Sequence, residues 1–127
     1  MEKLDKKVCL DTDVIIAILN GEERASKLIE NIENNEIFIS SINLFELLLR
    51  ENNLEPIEEF RNKVKLFNFD ELAARKASMI FKDLKTKGSL IDFRDIFIAS
   101  SCITNNCQLA TFNKKHFEKI KEIKIIN

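Results

Sequence analysis

Two glycines and one proline in 127 residues leave this chain very little material for tight β-hairpins. The favoured two-residue hairpin turns need glycine, or asparagine followed by glycine, at positive φ. A sandwich or barrel built on many short turns is therefore disfavoured. The pattern offers short apolar runs separated by longer helical stretches instead. The runs are Lys7 to Leu10, Ile37 to Ser40, Leu66 to Phe69, Gln108 to Thr111 and Ile123 to Ile126. Helices are expected from Asp13 to Gly21, from Glu22 to Asn34, over INLFELLLRE, from Pro56 to Val64, over ELAARKASMIFKDLKTK, over FRDIFIASSCITN and over HFEKI. Pro56 suits a first helical turn, Asp70 a cap and Gly88 a stop. Such alternation predicts an α/β fold of three layers, α/β/α, around a mostly parallel sheet of about five strands. In sheets of this kind, sites form beyond the carboxyl ends of the strands.

The length suits one domain over residues 1–127, and 45% apolar content can fill one core. No apolar run approaches the length of a membrane span. The charged start MEKLDKKV lacks the apolar segment and cleavage site of a signal peptide, so a cytoplasmic protein is expected. Cys9, Cys102 and Cys107 form no disulfide framework, and with the lone His116 they fit no zinc spacing. Cys9 and Cys102 sit among apolar residues, where a thiol packs as a small hydrophobe. Net charge is −1, so attraction to nucleic acid would have to come from a local basic patch.

The informative residues are acids that interrupt apolar stretches, because an unpaired buried carboxylate is expensive. In VCLDTDVII, Asp11 falls at the carboxyl end of the first strand, although Asp11 or Asp13 could simply cap the helix that follows. In SSINLFELLLRE, Glu46 lies on a stripe with Ile42 and Leu49, although a core face through Leu44, Leu47 and Leu48 would turn it outward. In SLIDFRDIFIASSC, Asp92 and Asp95 share one side of a helix start, where a cap and a first-turn acid are also the ordinary occupants. In LATFNKKHF, Thr111 and Asn113 follow the fourth strand, where asparagine is a common turn residue. Jointly these readings gather several oxygen ligands on one edge.

Crowded carboxylates repel, and a hard cation relieves the repulsion. Oxygen-only ligands suit Mg2+ or Mn2+, which activate water and neutralise a phosphoryl group. Arg94, Lys114, Lys115 and His116 are placed near the same edge, either as an RNA-backbone patch or as a solvated face.

LDTDVIIAIL, ISSINLFELL, IDFRDIFIAS and QLATFNKKHF, in that order, resemble the PIN-domain ribonucleases, and among them the toxins of VapC-type toxin–antitoxin pairs. The resemblance covers most of the chain. It implies a metal-dependent endoribonuclease acting on RNA, with Asp11, Glu46 and Asp95 as metal-binding acids. It further implies that Thr12 and Ser41 or Ser40 support the site, and that Thr111 and Asn113 close it. Asn113 stands where many relatives carry aspartate, and an amide holds a cation more weakly than a carboxylate. A homodimer and a cognate antitoxin protein are also implied; the apolar stretch INLFELLLRENNLEPIEEF is consistent with an interface.

Other readings compete. DTDVI after an apolar strand also fits the nucleophile motif of haloacid-dehalogenase-like phosphatases, and IDFRD could pose as their further acidic pair, but the chain is short for that fold with its usual additions. A receiver-like signalling domain would need its phosphate-accepting aspartate after the third strand, where Asp70 reads as a cap. A PIN-like module that binds RNA or protein without cleaving is the main non-catalytic alternative.

Overall fold

A computed structural model describes residues 6–126. The charged start at residues 1–5, read above as no targeting segment, lies outside them. The elements are β1 (Lys7–Leu10), α1 (Thr12–Leu19), α2 (Glu23–Ile32), β2 (Glu36–Ser40), α3 (Ser41–Leu48), α4 (Glu55–Lys63), β3 (Lys65–Phe67), α5 (Glu71–Thr86), α6 (Phe93–Thr104), β4 (Gln108–Ala110), α7 (Lys114–Phe117) and β5 (Ile125–Ile126). The strands pair in the order β3-β2-β1-β4-β5. Every pairing is parallel, with Cys9 opposite Phe38 on one side and Leu109 on the other. No helix among the described residues is long and apolar enough to cross a membrane.

Alternation along the strands makes two cores, one on each face of the sheet. Val8, Leu10, Ile39 and Ala110 pack against Val14, Ile15, Leu28, Ile32, Leu47 and Ile57 of α1 to α4. Cys9 and Leu109 point the other way, onto Ala77, Ile80 and Leu84 of α5, Ile96, Ile98 and Cys102 of α6, and Phe117 of α7. This is the expected three-layer arrangement.

Local chemistry sets the element ends. Asp70 accepts from Ala73 N at 3.0 Å and starts α5, and Gly88 at φ 68° takes the left-handed turn that ends it. Asp11, not Asp13, caps α1, because its carboxylate already bonds Thr12 N at 2.9 Å. The helix expected over INLFELLLRE ends at Leu48. α7 begins at Lys114 rather than at His116, since the Asn113 carbonyl accepts from both His116 N and Phe117 N. β3 stops at Phe67, where its register with Ser40 runs out. β5 is shortened to the two residues that pair with β4.

The chain order creates a crevice. It runs outward from β1 through β2 to β3, then returns to lay β4 on the opposite side of β1. The ends of β1 and β4 therefore sit side by side with their connections departing in opposite senses, which is where open α/β sheets place their sites.

The two cores predict a simple stability pattern. Ile15 and Leu84 are fully buried on opposite faces, whereas Met79 is 60% exposed. Ile15→Ala and Leu84→Ala should each cost about 2–5 kcal/mol in urea unfolding, and Met79→Ala less than about 0.5 kcal/mol.

Candidate active site at the carboxyl edge of the sheet

Asp11 is the first residue beyond β1 and is only 7% exposed. Its Oδ1 accepts from Thr12 N at 2.9 Å, and its Oδ2 accepts from the Thr111 hydroxyl at 2.8 Å. Burial outweighs both hydrogen bonds and pushes its pKa up to about 6, with the charges of Asp95 and Asp13 adding to the rise. The Thr111 oxygen also accepts from Asn113 N at 2.9 Å, so the turn after β4 is tied to the end of β1.

Glu46 is held from beneath by a chain of polar groups, of which Ser40 and Asn43 are buried and Thr12 is partly exposed. β2 ends at Ser40, which caps α3 reciprocally with Asn43. The Asn43 Oδ1 accepts from Ser40 N and from Ser40 Oγ, each at 2.8 Å. Its amide nitrogen donates to Thr12 Oγ1 at 3.0 Å. With that lone pair taken, the single Thr12 proton is free to be given to Glu46 Oε1, and it is. The Cys9 thiol reaches Asn43 Oδ1 at 3.7 Å. Asn43 is thus the residue that sequence reading missed. The available signal was its place three residues after Ser40, the reciprocal position of a capping box.

Ser41 does not join this group. Its hydroxyl accepts from Phe69 N at 3.0 Å and ties α3 to the chain beyond β3, so of the two serines considered it is Ser40 that supports the edge. The Thr12 hydroxyl bonds Glu46 and the Thr111 hydroxyl bonds Asp11.

Asp95, in the first turn of α6, is half-buried. Burial raises its pKa first of all, His116 opposes the rise, and the charges of Asp92 and Glu46 add to it. Its Oδ2 lies 3.3 Å from His116 Nδ1, which lies 3.0 Å from the Asn113 side-chain amide. One ring nitrogen cannot both accept from the amide and donate to the carboxylate. An Asn113 amide turned to offer its oxygen, with Nδ1–H shared between the two acceptors, satisfies all three groups. Arg94 completes the edge, with Nη1 3.5 Å from Glu46 Oε2 and Nε 3.3 Å from Asp92 Oδ1. Asp92 itself caps α6 through Arg94 N, and the arginine draws its pKa down. Lys114 and Lys115 open α7 beside Asn113 and are exposed.

The edge therefore gathers Asp11, Glu46 and Asp95, with Asn113 at its rim and cations around it. Cys9, Cys102 and Cys107 are buried in the core as free thiols, so no cysteine nucleophile faces the crevice. The donors are hard oxygens carrying like charge, a set suited to a divalent cation. Among the described residues no group of three His, Cys, Asp or Glu is arranged to hold an ion as oriented. Glu46 and Asp95 are instead engaged by Arg94 and His116.

Comparison with known proteins places the chain in a family. The family model described as PIN domain matches residues 8–123. Ribonuclease VapC1 of Methanocaldococcus jannaschii is 29% identical over 123 residues, covering 96% of this chain and 87% of that protein. Ribonuclease VapC3 of the same organism is 34% identical over 94 residues, covering 72% and 93%. Among solved structures, DNA-bound VapBC from Salmonella typhimurium superposes with a TM-score of 0.80 at 28% identity, covering 95% of this chain and 97% of that one. On the match to the family model and on these relatives, the chain belongs to the PIN-domain family, in its VapC branch.

Proposed function

We propose that this chain is a divalent-metal-dependent endoribonuclease, the toxin of a toxin–antitoxin pair, and that Asp11, Glu46 and Asp95 are its metal-binding acids. The observation that carries the reading is the internal hydrogen-bond chain from Ser40 through Asn43 and Thr12 to Glu46, beside Thr111 on Asp11. A connected chain of polar groups ending on carboxylates stiffens an edge for chemistry rather than for packing. Mg2+ or Mn2+ held by the three acids would supply an activated water and neutralise charge on the phosphodiester. Asp11 is locked by two donors and sets the position of the site. Arg94, Lys114 and Lys115 stand at the rim as contacts for the RNA backbone. Asn113 offers a neutral oxygen there, which keeps the acid count at three.

The relatives whose structures are VapBC assemblies support a protein partner for this chain. An antitoxin side chain able to bind bidentately, such as arginine, suits the carboxylate edge. The exposed apolar side of α3 supports a homodimer: Phe45 is 53% exposed and Leu49, just beyond the helix, 57%. Light scattering at micromolar concentration should give twice the chain mass, and Leu49→Glu should shift it toward monomer with the circular dichroism unchanged. A wild-type monomer would overturn the assembly.

Cleavage is tested on a panel of structured cellular RNAs. Purified protein should cut at least one of them with Mg2+ or Mn2+ and stop in EDTA; full activity in EDTA would overturn the mechanism. Asp95→Asn should lower the rate by orders of magnitude while melting no lower than wild type in EDTA, because it removes one of several repelling charges. Its Mn2+-induced rise in melting temperature should shrink. A mutant that melts lower yet cleaves normally would remove Asp95 from the site.

The buried Asp11 gives a pH signature. Its carboxyl binds a proton more tightly folded, at about 6, than unfolded, at 3.8. Stability is therefore greatest below the unfolded value and falls as pH climbs through the folded one, by up to about 3 kcal/mol. In EDTA the wild type should lose stability between about pH 4 and pH 7, and Asp11→Asn should flatten that slope. Equal slopes would show that Asp11 is not the group responsible.

A further inference from the structure

Arg94 is anchored where a cation is needed and no metal is required to put it there. Its backbone N–H donates to Asp92 Oδ1 at 2.8 Å, and its Nε lies 3.3 Å from the same oxygen. Asp92 is the cap of α6, so the start of the helix itself fixes the base of the arginine. From that base Nη1 reaches to 3.5 Å from Glu46 Oε2. The other Glu46 oxygen takes the Thr12 proton, and both Asp11 oxygens are engaged by Thr12 N and Thr111. Those three donors are neutral groups of the surrounding backbone and side chains. A carboxylate oxygen can keep such a hydrogen bond while it binds an ion. The guanidinium differs, because it is a full charge directed at the same lone pairs, and it does not lose its proton at any working pH.

We propose that Arg94 is a built-in counterion that holds Glu46 in the metal-free protein and must be displaced from it for a divalent cation to bind. The proposal rests on Asp11, Glu46 and Asp95 being the metal site. It accounts for how the like charges of Glu46, Asp92 and Asp95 stay together in the metal-free protein. The arginine side chain is 48% exposed, so the contact is weak enough to be reversible. Removing it should therefore act in opposite directions on two measurements: the metal-free fold loses a neutralising charge, and the ion loses a competitor.

The experiment titrates Mn2+, followed by electron paramagnetic resonance, into metal-free wild type, Arg94→Gln, Lys115→Gln and Asp11→Asn. Melting curves in EDTA accompany each titration. Arg94→Gln should bind Mn2+ about two- to fivefold tighter than wild type, the range expected for one partly exposed ion pair, and should melt lower in EDTA. Lys115→Gln removes the same charge from the exposed start of α7 and should leave Mn2+ affinity unchanged. Unaltered or weaker binding in Arg94→Gln would overturn the proposal. So would an equal gain in Lys115→Gln, because the effect would then be general charge rather than contact at Glu46. The underlying site is judged separately. Wild type that binds no Mn2+, or Asp11→Asn that binds it as well as wild type, would overturn the metal-site reading itself.

Discussion

Burying the Asp11 carboxylate at the end of the central strand is unfavourable, and much of the carboxyl edge is arranged to contain that cost. The side chain is 7% exposed, and two hydrogen bonds do not offset its desolvation, which lifts its pKa to about 6. Its two donors come from opposite directions. Thr12 is the next residue in the chain, whereas Thr111 belongs to the turn after β4. The carboxylate is thus fixed only when β1 and β4 lie side by side, and the strand order guarantees that they do. A fold that reversed those neighbours would leave a charge in the core with half its partners missing.

Around this fixed point the edge divides into a stiff part and a yielding part. Ser40, Asn43, Thr12 and Thr111 are bound to one another or to Asp11, and Ser40 and Asn43 are fully buried. Glu46 and Asp95 are only partly buried and are engaged by Arg94 and His116, both partly exposed. Stiffness beneath and adjustability above is a workable division for a site that has to accept an ion and a polymer. The positions are defined by neutral hydrogen bonds that remain in place, and the carboxylates above them are met by the movable side chains of Arg94 and His116.

Much of this was legible in the chain, for reasons that can be named. The alternation of short apolar runs with helical stretches specified the layers, because Val8 and Leu10 need one core and Cys9 another. Asp11, Glu46 and Asp95 stood out as acids in apolar company, and the family resemblance ordered them. Asn43 did not stand out. A buried amide in a helix carries no periodic signature, and its role depends on Thr12, which lies 31 residues away. Ser40 and Ser41 could not be separated for a similar reason. Adjacent residues at a strand–helix junction point in different directions, and only the position of Phe69 N shows which way Ser41 turns. Arg94 was legible as a cation near the edge but not as a partner of Glu46, since that contact joins two helices whose spacing the sequence does not state.

The bond between Thr111 and Asp11 spans 100 residues. A ribosome must therefore deliver every residue from Asp11 to Thr111 before the edge can close. Until β4 has emerged and found β1, the nascent protein holds an unsupported aspartate and no assembled crevice, and contacts of such long range form late. Synthesis thus comes with a built-in delay. A chain abandoned by the ribosome before β4 and Thr111 are made cannot assemble the edge at all.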